Sequence, residues 1–552
     1  MYFLTLLSVT QLCLFIPLYV SYVVLAFYVE RRTVFPETLP ISHLRKLVKD
    51  GACKVIETHF GKRPFYVRSV CGKIAWDKLQ ARYRLHRGQI REAHEIYCRL
   101  LSLPLFEEER GDISFNQIYS RLLLGDTNGA WHLFELLGKP KSRKGLLLRS
   151  MFAEKRGEFE SARQNLLSAV SDFNDLKDIH LAVVYNNLGR MEKTLGNITN
   201  VIHYYQKSAE LARELGEKNL IHTVYPNIVD TYLLRGERSN AVSFFERYSE
   251  LIDPHSVDDL LSFSNYCLEY ARQTNDRSLF LEALEKGRKE ILPMLSAGEQ
   301  LTFEVTELRI RWNNQFGWDE KLSWLTSHLT VYIELDFPIR YYCVKEIFSI
   351  LRELLRRNGL GQFAALFKQV LEFMGEARRD IDQHLLRLPD SCVDERCFWE
   401  KEKAFLRHMD ISGHSQMDLM NFCEGIFEHL RNVKDIQLQH GNPLSAIEAD
   451  LNIADECMNL MQIIREPAII PNLRRTMEKH LTDACKDLER FRRHPASNEY
   501  LLRTARYALF LGDQNRAKEY FDDFLRSKIS IHHYAMWMQA YYQDLIIFFP
   551  TT

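Results

Sequence analysis

Apolar side chains are distributed along this chain in two ways. The first 29 residues, Met1 to Val29, contain no charged side chain. As a helix rising 1.5 Å per residue they would extend about 40 Å, enough to cross a bilayer. Beyond Glu30 the apolar positions recur at helical spacing, as in Ile347, Phe348, Ile350, Leu351, Leu354 and Leu355, and again in Leu419, Met420, Phe422, Cys423, Ile426 and Phe427. A final apolar stretch, Tyr534, Trp537, Met538, Tyr541, Leu545, Phe548 and Phe549, keeps that spacing. The pattern predicts helices throughout. Only 24 glycines and 16 prolines in 552 residues leave too little turn punctuation for a many-stranded β protein.

A repeated spacing organises these helices. Glycine, a small residue five positions on, and a large apolar residue four further on occur at Gly88, Ala93, Tyr97; Gly125, Ala130, Phe134; Gly157, Ala162, Leu166; Gly196, Val201, Tyr205; Gly236, Ala241, Phe245; and Gly512, Ala517, Phe521. The first five glycines are 32 to 40 residues apart, room for two helices and two turns. Glycine ends one helix with a left-handed turn, the small residue lets the next helix approach closely, and the large one fills the groove between them.

These residues resemble tetratricopeptide repeats. The fullest copies are Tyr185, Leu188, Gly189, Gly196, Val201, Tyr205 and Tyr225, Ile228, Tyr232, Gly236, Ala241, Phe245; they depart from the family at Glu192, where it has Tyr, and at Val229, where it has Gly. The resemblance implies an all-α fold, a right-handed solenoid of helix-turn-helix units, preceded here by one transmembrane helix. Residues 74–254 carry the repeats. Residues 255–500 read as divergent helical pairs, and 501–552 as a C-terminal repeat and an apolar capping helix. The resemblance also implies that the first helix of each pair lines a concave groove, where an Asn two residues after the aromatic holds the backbone of an extended peptide. Those positions are Asn187 and Asn227. Arg190, Lys193 and Asp230 lie about a turn along the same faces and would give the groove a mixed charge. The asparagines could equally face water or bridge repeats.

An uncleaved anchor suits residues 1–29 better than a signal peptide, since no basic residue precedes the apolar run and bulky residues continue to its end. A buried solenoid helix is the alternative. Arg31, Arg32, Arg45, Lys46, Lys49 and Lys54 follow the run within the basic segment 30–73, which orients the solenoid toward the cytoplasm. Within that segment, Ser42 to Lys49 reads equally as a membrane-surface helix or a first solenoid helix. The C-terminal apolar stretch reads as a buried cap or as a homo-oligomer or membrane contact. Elsewhere charge is balanced, 72 Lys and Arg against 73 Asp and Glu, which removes the basic footprint of a nucleic-acid binder.

Candidate chemistry is sparse. There is no phosphate-binding loop, no His-Glu-x-x-His and no nucleophile elbow. Cys392 and Cys397 with His408 and His414 are a poor match to structural zinc spacing, and the eleven cysteines are otherwise scattered and read as reduced. The basic run Lys139 to Lys144 reads as a solvated loop between helices. No cofactor, metal or catalytic residue is expected. The expected function is a single-pass, cytoplasm-facing scaffold or adaptor that binds a protein or peptide. Two alternatives stand beside it: a peptide sensor whose N-terminal segment acts on the membrane, and an enzyme site hidden within 255–500.

Overall fold

The computed structural model describes residues 70–86, 89–103, 105, 107–172, 178–195, 197–252, 257–274, 364–409, 416–464, 466–491 and 495–526, with isolated positions between 285 and 348. Residues 1–29, the basic segment before Val70 and the aromatic stretch 534–549 lie outside the described residues. The first block comprises α1 (Val70–His86), α2 (Ile90–Leu101), α3 (Glu107–Leu123), α4 (Thr127–Leu136), α5 (Arg143–Lys155), α6 (Phe159–Ser171), α7 (Ile179–Thr194), α8 (Ile198–Leu215), α9 (Lys218–Leu234), α10 (Arg238–Glu250) and α11 (Val257–Thr274). The second comprises α12 (Ala364–Arg387), α13 (Val393–Met409), α14 (Gln416–Gln439), α15 (Pro443–Ile463), α16 (Ile470–Leu488), α17 (Pro495–Phe510) and α18 (Gln514–Arg526). Among the described residues there is no β-strand, and consecutive helices pack on one another along each block. This is an α-solenoid.

The turns show why the glycine spacing matters. Gly125, Gly157, Gly236 and Gly512 have φ of +90°, +78°, +73° and +80°. At all four the glycine N–H bonds the carbonyl three residues back and the next N–H reaches five back: Gly125 to Leu122 and Asp126 to Arg121, Gly157 to Glu154 and Glu158 to Ala153, Gly236 to Leu233 and Glu237 to Tyr232, Gly512 to Leu509 and Asp513 to Ala508. This closes the exposed end of the first helix and reverses the chain. The small residues that follow, Ala93, Ala130, Ala162, Val201, Ala241 and Ala517, are wholly buried, and Tyr97, Phe134, Leu166, Tyr205 and Phe521 fill the grooves beside them. Burying one such large side chain stabilises the fold by roughly 1.5–3 kcal/mol. Gly189 serves a different need: a Cβ there would lie 2.5 Å from the Tyr205 ring, so its absence lets α7 and α8 meet.

Two local readings change. Arg143, placed by its sequence in a solvated basic loop, is buried; its guanidinium bonds Asp178 at 2.9 Å and the Ala169 carbonyl at 3.2 Å, while Ser142 caps α5 through the Gly145 N–H. Glu192, a departure from the repeat pattern, is fully buried and is held by Arg163 at 2.6 Å and Asn197 at 2.7 Å. A carboxylate is tolerated there because both oxygens are bonded.

A solenoid is expected to make contacts only between neighbours, but here the two blocks also meet. The turn between α3 and α4 is gripped by residues about 270 to 320 positions later. Gly125 forms an isolated antiparallel bridge with Cys392, and the Asp394 N–H donates to the Leu124 carbonyl at 3.0 Å. From the other side, Asn442 donates to the Gly125 carbonyl at 2.7 Å and accepts from Thr127 Oγ1 at 2.6 Å. The Asn128 N–H bonds the His440 carbonyl at 3.0 Å, and its side-chain amide bonds that of Gln439 at 2.8 Å. Asp126, the cap of α4, lies between Arg121 at 2.6 Å and His440 at 2.9 Å. Leu444, at the start of α15, packs against apolar clusters of both blocks. The turn fits because Gly125 has no Cβ; one would fall 2.4 Å from the Asp394 carboxylate. The array is therefore closed on itself at this latch.

Candidate functional site

The first helices of successive pairs, α3, α5, α7, α9 and α11, are joined to one another by a ladder of polar side chains one repeat apart. Lys78 of α1 and Lys144 of α5 both reach Asp112 of α3, at 3.2 and 2.9 Å. Burial pushes the Asp112 carboxyl up, but the two lysines outweigh it and hold it below its ordinary value. Glu154 of α5 receives a bidentate pair from Arg190 of α7, both bonds 2.7 Å. Asn186 of α7 accepts from Asn227 of α9 at 3.2 Å. Asp230 of α9 accepts from the Tyr266 hydroxyl of α11 at 3.0 Å, and Lys218 reaches Asp259 at 3.2 Å.

All five residues expected to hold a peptide lie on this ladder's helices. Asn187 and Asn227 are half-buried and Arg190 is exposed. Arg190 also touches Asn187 Oδ1 at a long 3.5 Å. Lys193 is half-buried; burial lowers its pKa, and Asp230 opposes the shift. Both Arg190 and Asp230 act on the buried Tyr205 hydroxyl, whose ionisation burial makes harder. Asn227 bonds Asn186, one residue before Asn187, so that Asn227 does bridge repeats. Each of these amides retains hydrogen-bonding capacity beyond the bond it makes. An exposed bidentate pair such as Arg190 with Glu154 stabilises the array by about 1 kcal/mol or less, so its geometry matters more than its energy.

Sequence reading missed Glu154, Asn186 and Tyr266. Their signal was register: each lies about one repeat, 36 to 41 residues, from its partner. On the second helices, α6 and α8 enclose a shallow depression of about 460 Å³ lined in part by Gln164, Tyr185, His203, Tyr204 and Lys207. There Lys207 sits 5.3 Å over the Tyr185 ring, which stacks on Tyr204 at 6.3 Å.

Cys392 and Cys397 are packing residues in this structure. Burial pushes their thiols up to about 11 and about 12, which leaves them protonated and poor metal ligands. Among the described residues no three His, Cys, Asp or Glu side chains cluster as a metal site would require. His414 lies outside the described residues. No helix among the described residues is long and apolar enough to cross a membrane.

Residues 182–215 match the tetratricopeptide-repeat family model. Helices α7 and α8 are similar to one tetratricopeptide repeat. The match begins in α7 and ends with α8, so it contains Tyr185, Leu188, Gly189 and Tyr205 together with Asn187, Arg190 and Lys193. Solved structures similar to the chain include a crystal structure of the APC/C hetero-tetramer Cut9-Hcn1, 12% identical over 87% of this chain and 94% of that one with a TM-score of 0.27. Another is a structure of Naa15/Naa10 bound to HypK-THB, 13% identical over 81% of this chain and 68% of that one with a TM-score of 0.23. A third is a circular tandem repeat protein, 14% identical over 91% of this chain and 96% of that one with a TM-score of 0.21. No curated protein sequence matches the chain.

Proposed function

We propose that this protein is a membrane-anchored helical scaffold that holds a protein or extended peptide against the shared face of its first helices. The observation that carries the reading is the ladder itself. Asn187, Arg190, Lys193, Asn227 and Asp230 are brought onto one run of adjacent helices, with amides that can bond a peptide backbone between charges of both signs. In this reading Asn187 and Asn227 take the backbone, Arg190 and Lys193 take acidic groups of the ligand, and Asp230 takes a basic one. The apolar residues 1–29 are the anchor, and the basic residues after them keep the solenoid on the cytoplasmic side.

The test compares full-length wild type with the Asn187→Ala, Asn227→Ala double variant, purified from detergent extract, with co-purifying proteins quantified by mass spectrometry. Loss of two backbone-directed hydrogen bonds, about 1 kcal/mol each, should reduce recovery of the true partner on the order of tenfold or more. Equal recovery of every partner would remove the groove. Alkaline carbonate extraction tests the anchor: release of the intact chain into the soluble fraction would sink it. Exchanging residues 1–29 for an unrelated anchor separates a scaffold, which keeps its function, from a membrane effector, which loses it.

A further inference from the structure

Helices α2 and α3 bring together a thiol, an imidazole, a hydroxyl and a carboxamide that the scaffold reading does not use. His94 and Cys98 lie one turn apart on α2, and Gln117 and Ser120 lie one turn apart on α3, which packs against it. Cys98 Sγ is 3.4 Å from His94 Nε2 and receives a bond from Gln117 Nε2 at 3.3 Å. His94 Nδ1 is 2.9 Å from Ser120 Oγ. Ser120 is wholly buried, whereas Cys98 is exposed. The orienting group is therefore fixed and the sulfur is open to reagents.

Proton positions follow from the donors present. Ser120 has one hydroxyl hydrogen, which it gives to the Gln117 carbonyl at 2.9 Å. With that bond made, its oxygen accepts from His94, which assigns the imidazole proton to Nδ1. Burial, reinforced by Arg121, lowers the His94 pKa and keeps the ring neutral at neutral pH. The free lone pair is then on Nε2, the atom that faces the thiol. This is the arrangement of a nucleophile beside a base that a third group orients.

We propose that Cys98 is a covalent modification site for α,β-unsaturated carbonyl compounds, with His94 as its base and Gln117 as the donor that stabilises the charged sulfur. The thiol proton moves to His94 Nε2, and the sulfur forms a bond to the β-carbon. The π pair of the alkene shifts to the α-carbon, and the imidazolium returns its proton there. The adduct needs no oxidant and releases no leaving group. The other cysteines whose side chains are described are less available: Cys485 is half-buried, Cys267, Cys392, Cys397, Cys423 and Cys457 are buried, and burial pushes the Cys423 thiol up to about 11.

The experiment is a time course of N-ethylmaleimide labelling of the full-length protein in detergent near pH 7, resolved by site with mass spectrometry. Cys98 should label at least tenfold faster in the native protein than in the denatured chain, and His94→Gln should remove that advantage, a loss of tenfold or more. Gln117→Leu should slow labelling by a smaller factor while Cys485 keeps its wild-type rate, which reports an intact fold. A native rate at or below the denatured rate overturns the proposal without recourse to any variant. An unchanged rate in a folded His94→Gln protein overturns the role of the base.

Discussion

Replacing Asn442 with Ala should open the latch without loosening the repeats. The Asn442 side chain is 3% exposed and makes three hydrogen bonds, to the Gly125 carbonyl at 2.7 Å, Gln437 Oε1 at 2.8 Å and Thr127 Oγ1 at 2.6 Å. Two of them, to Gly125 and Thr127, cross the latch; at about 1 kcal/mol net for each, their loss costs about 2 kcal/mol, and the stranded buried groups of Thr127 and Gly125 add to this. Two backbone amides report on the latch because their acceptors lie across it: Asn128 N–H to the His440 carbonyl, and Asp394 N–H to the Leu124 carbonyl. Their hydrogen exchange proceeds through opening of the latch. A cost of about 2 kcal/mol corresponds to about thirtyfold faster exchange at both amides. Amides within α7 and α9 should exchange as in the wild type, since no bond of Asn442 reaches those helices. Unchanged protection at Asn128 and Asp394 would refute the reasoning, as would uniform acceleration across the chain. A double-mutant cycle with Thr127→Val should give a coupling between about 0.5 and 3 kcal/mol, the range for directly bonded partners.

Acid should weaken the same contact. Burial pushes the Asp126 carboxyl up, but hydrogen bonds from His440, the Gly129 N–H and Arg121 outweigh it, and the group ionises below its ordinary value. Its contribution is then complete above the unfolded carboxylate pKa of about 3.9 and is lost as pH falls through the lower folded value. After correction for intrinsic rates, latch amides should lose protection below about pH 4 in the wild type, and Asp126→Asn should flatten that dependence. A wild-type profile that does not change there would count against the Asp126 account. Gly189→Ala should lower the melting temperature, because its Cβ would meet the Tyr205 ring at 2.5 Å inside a packed groove. Overpacking costs about 1–3 kcal/mol, partly offset by the better helix propensity of Ala; a rise in melting temperature would show that the ring moves aside freely.

Much of the repeat geometry was legible because its causes are local. A glycine at a left-handed turn, a small residue at the closest helix approach and a large one beside it act within a dozen residues, so their spacing survives as a sequence pattern. Glu192 and Arg143 were harder to read. Their partners, Arg163 and Asp178, lie on other segments 29 and 35 residues away, and nothing in a local window distinguishes a buried paired charge from a solvated one. The asparagine positions were found through the repeat register, but the bond from Asn227 to Asn186 and that from Tyr266 to Asp230 depend on how neighbouring helices settle against each other. His94 and Cys98 are visible as an i, i+4 pair. What gives them chemistry is Ser120 and Gln117 from the facing helix.

The sequence by itself determined the class of fold, the tetratricopeptide-like turns and the residues that seal each helix pair, because short-range sterics and hydrophobic spacing decide those features. The tertiary structure decided that the array closes on itself. Asn442 finds Gly125 and Thr127 across more than 300 residues, and such a contact leaves no period in the chain. It forms only where the folded chain brings two turns face to face, with a glycine on each, Gly125 and Gly441, to let the backbones meet.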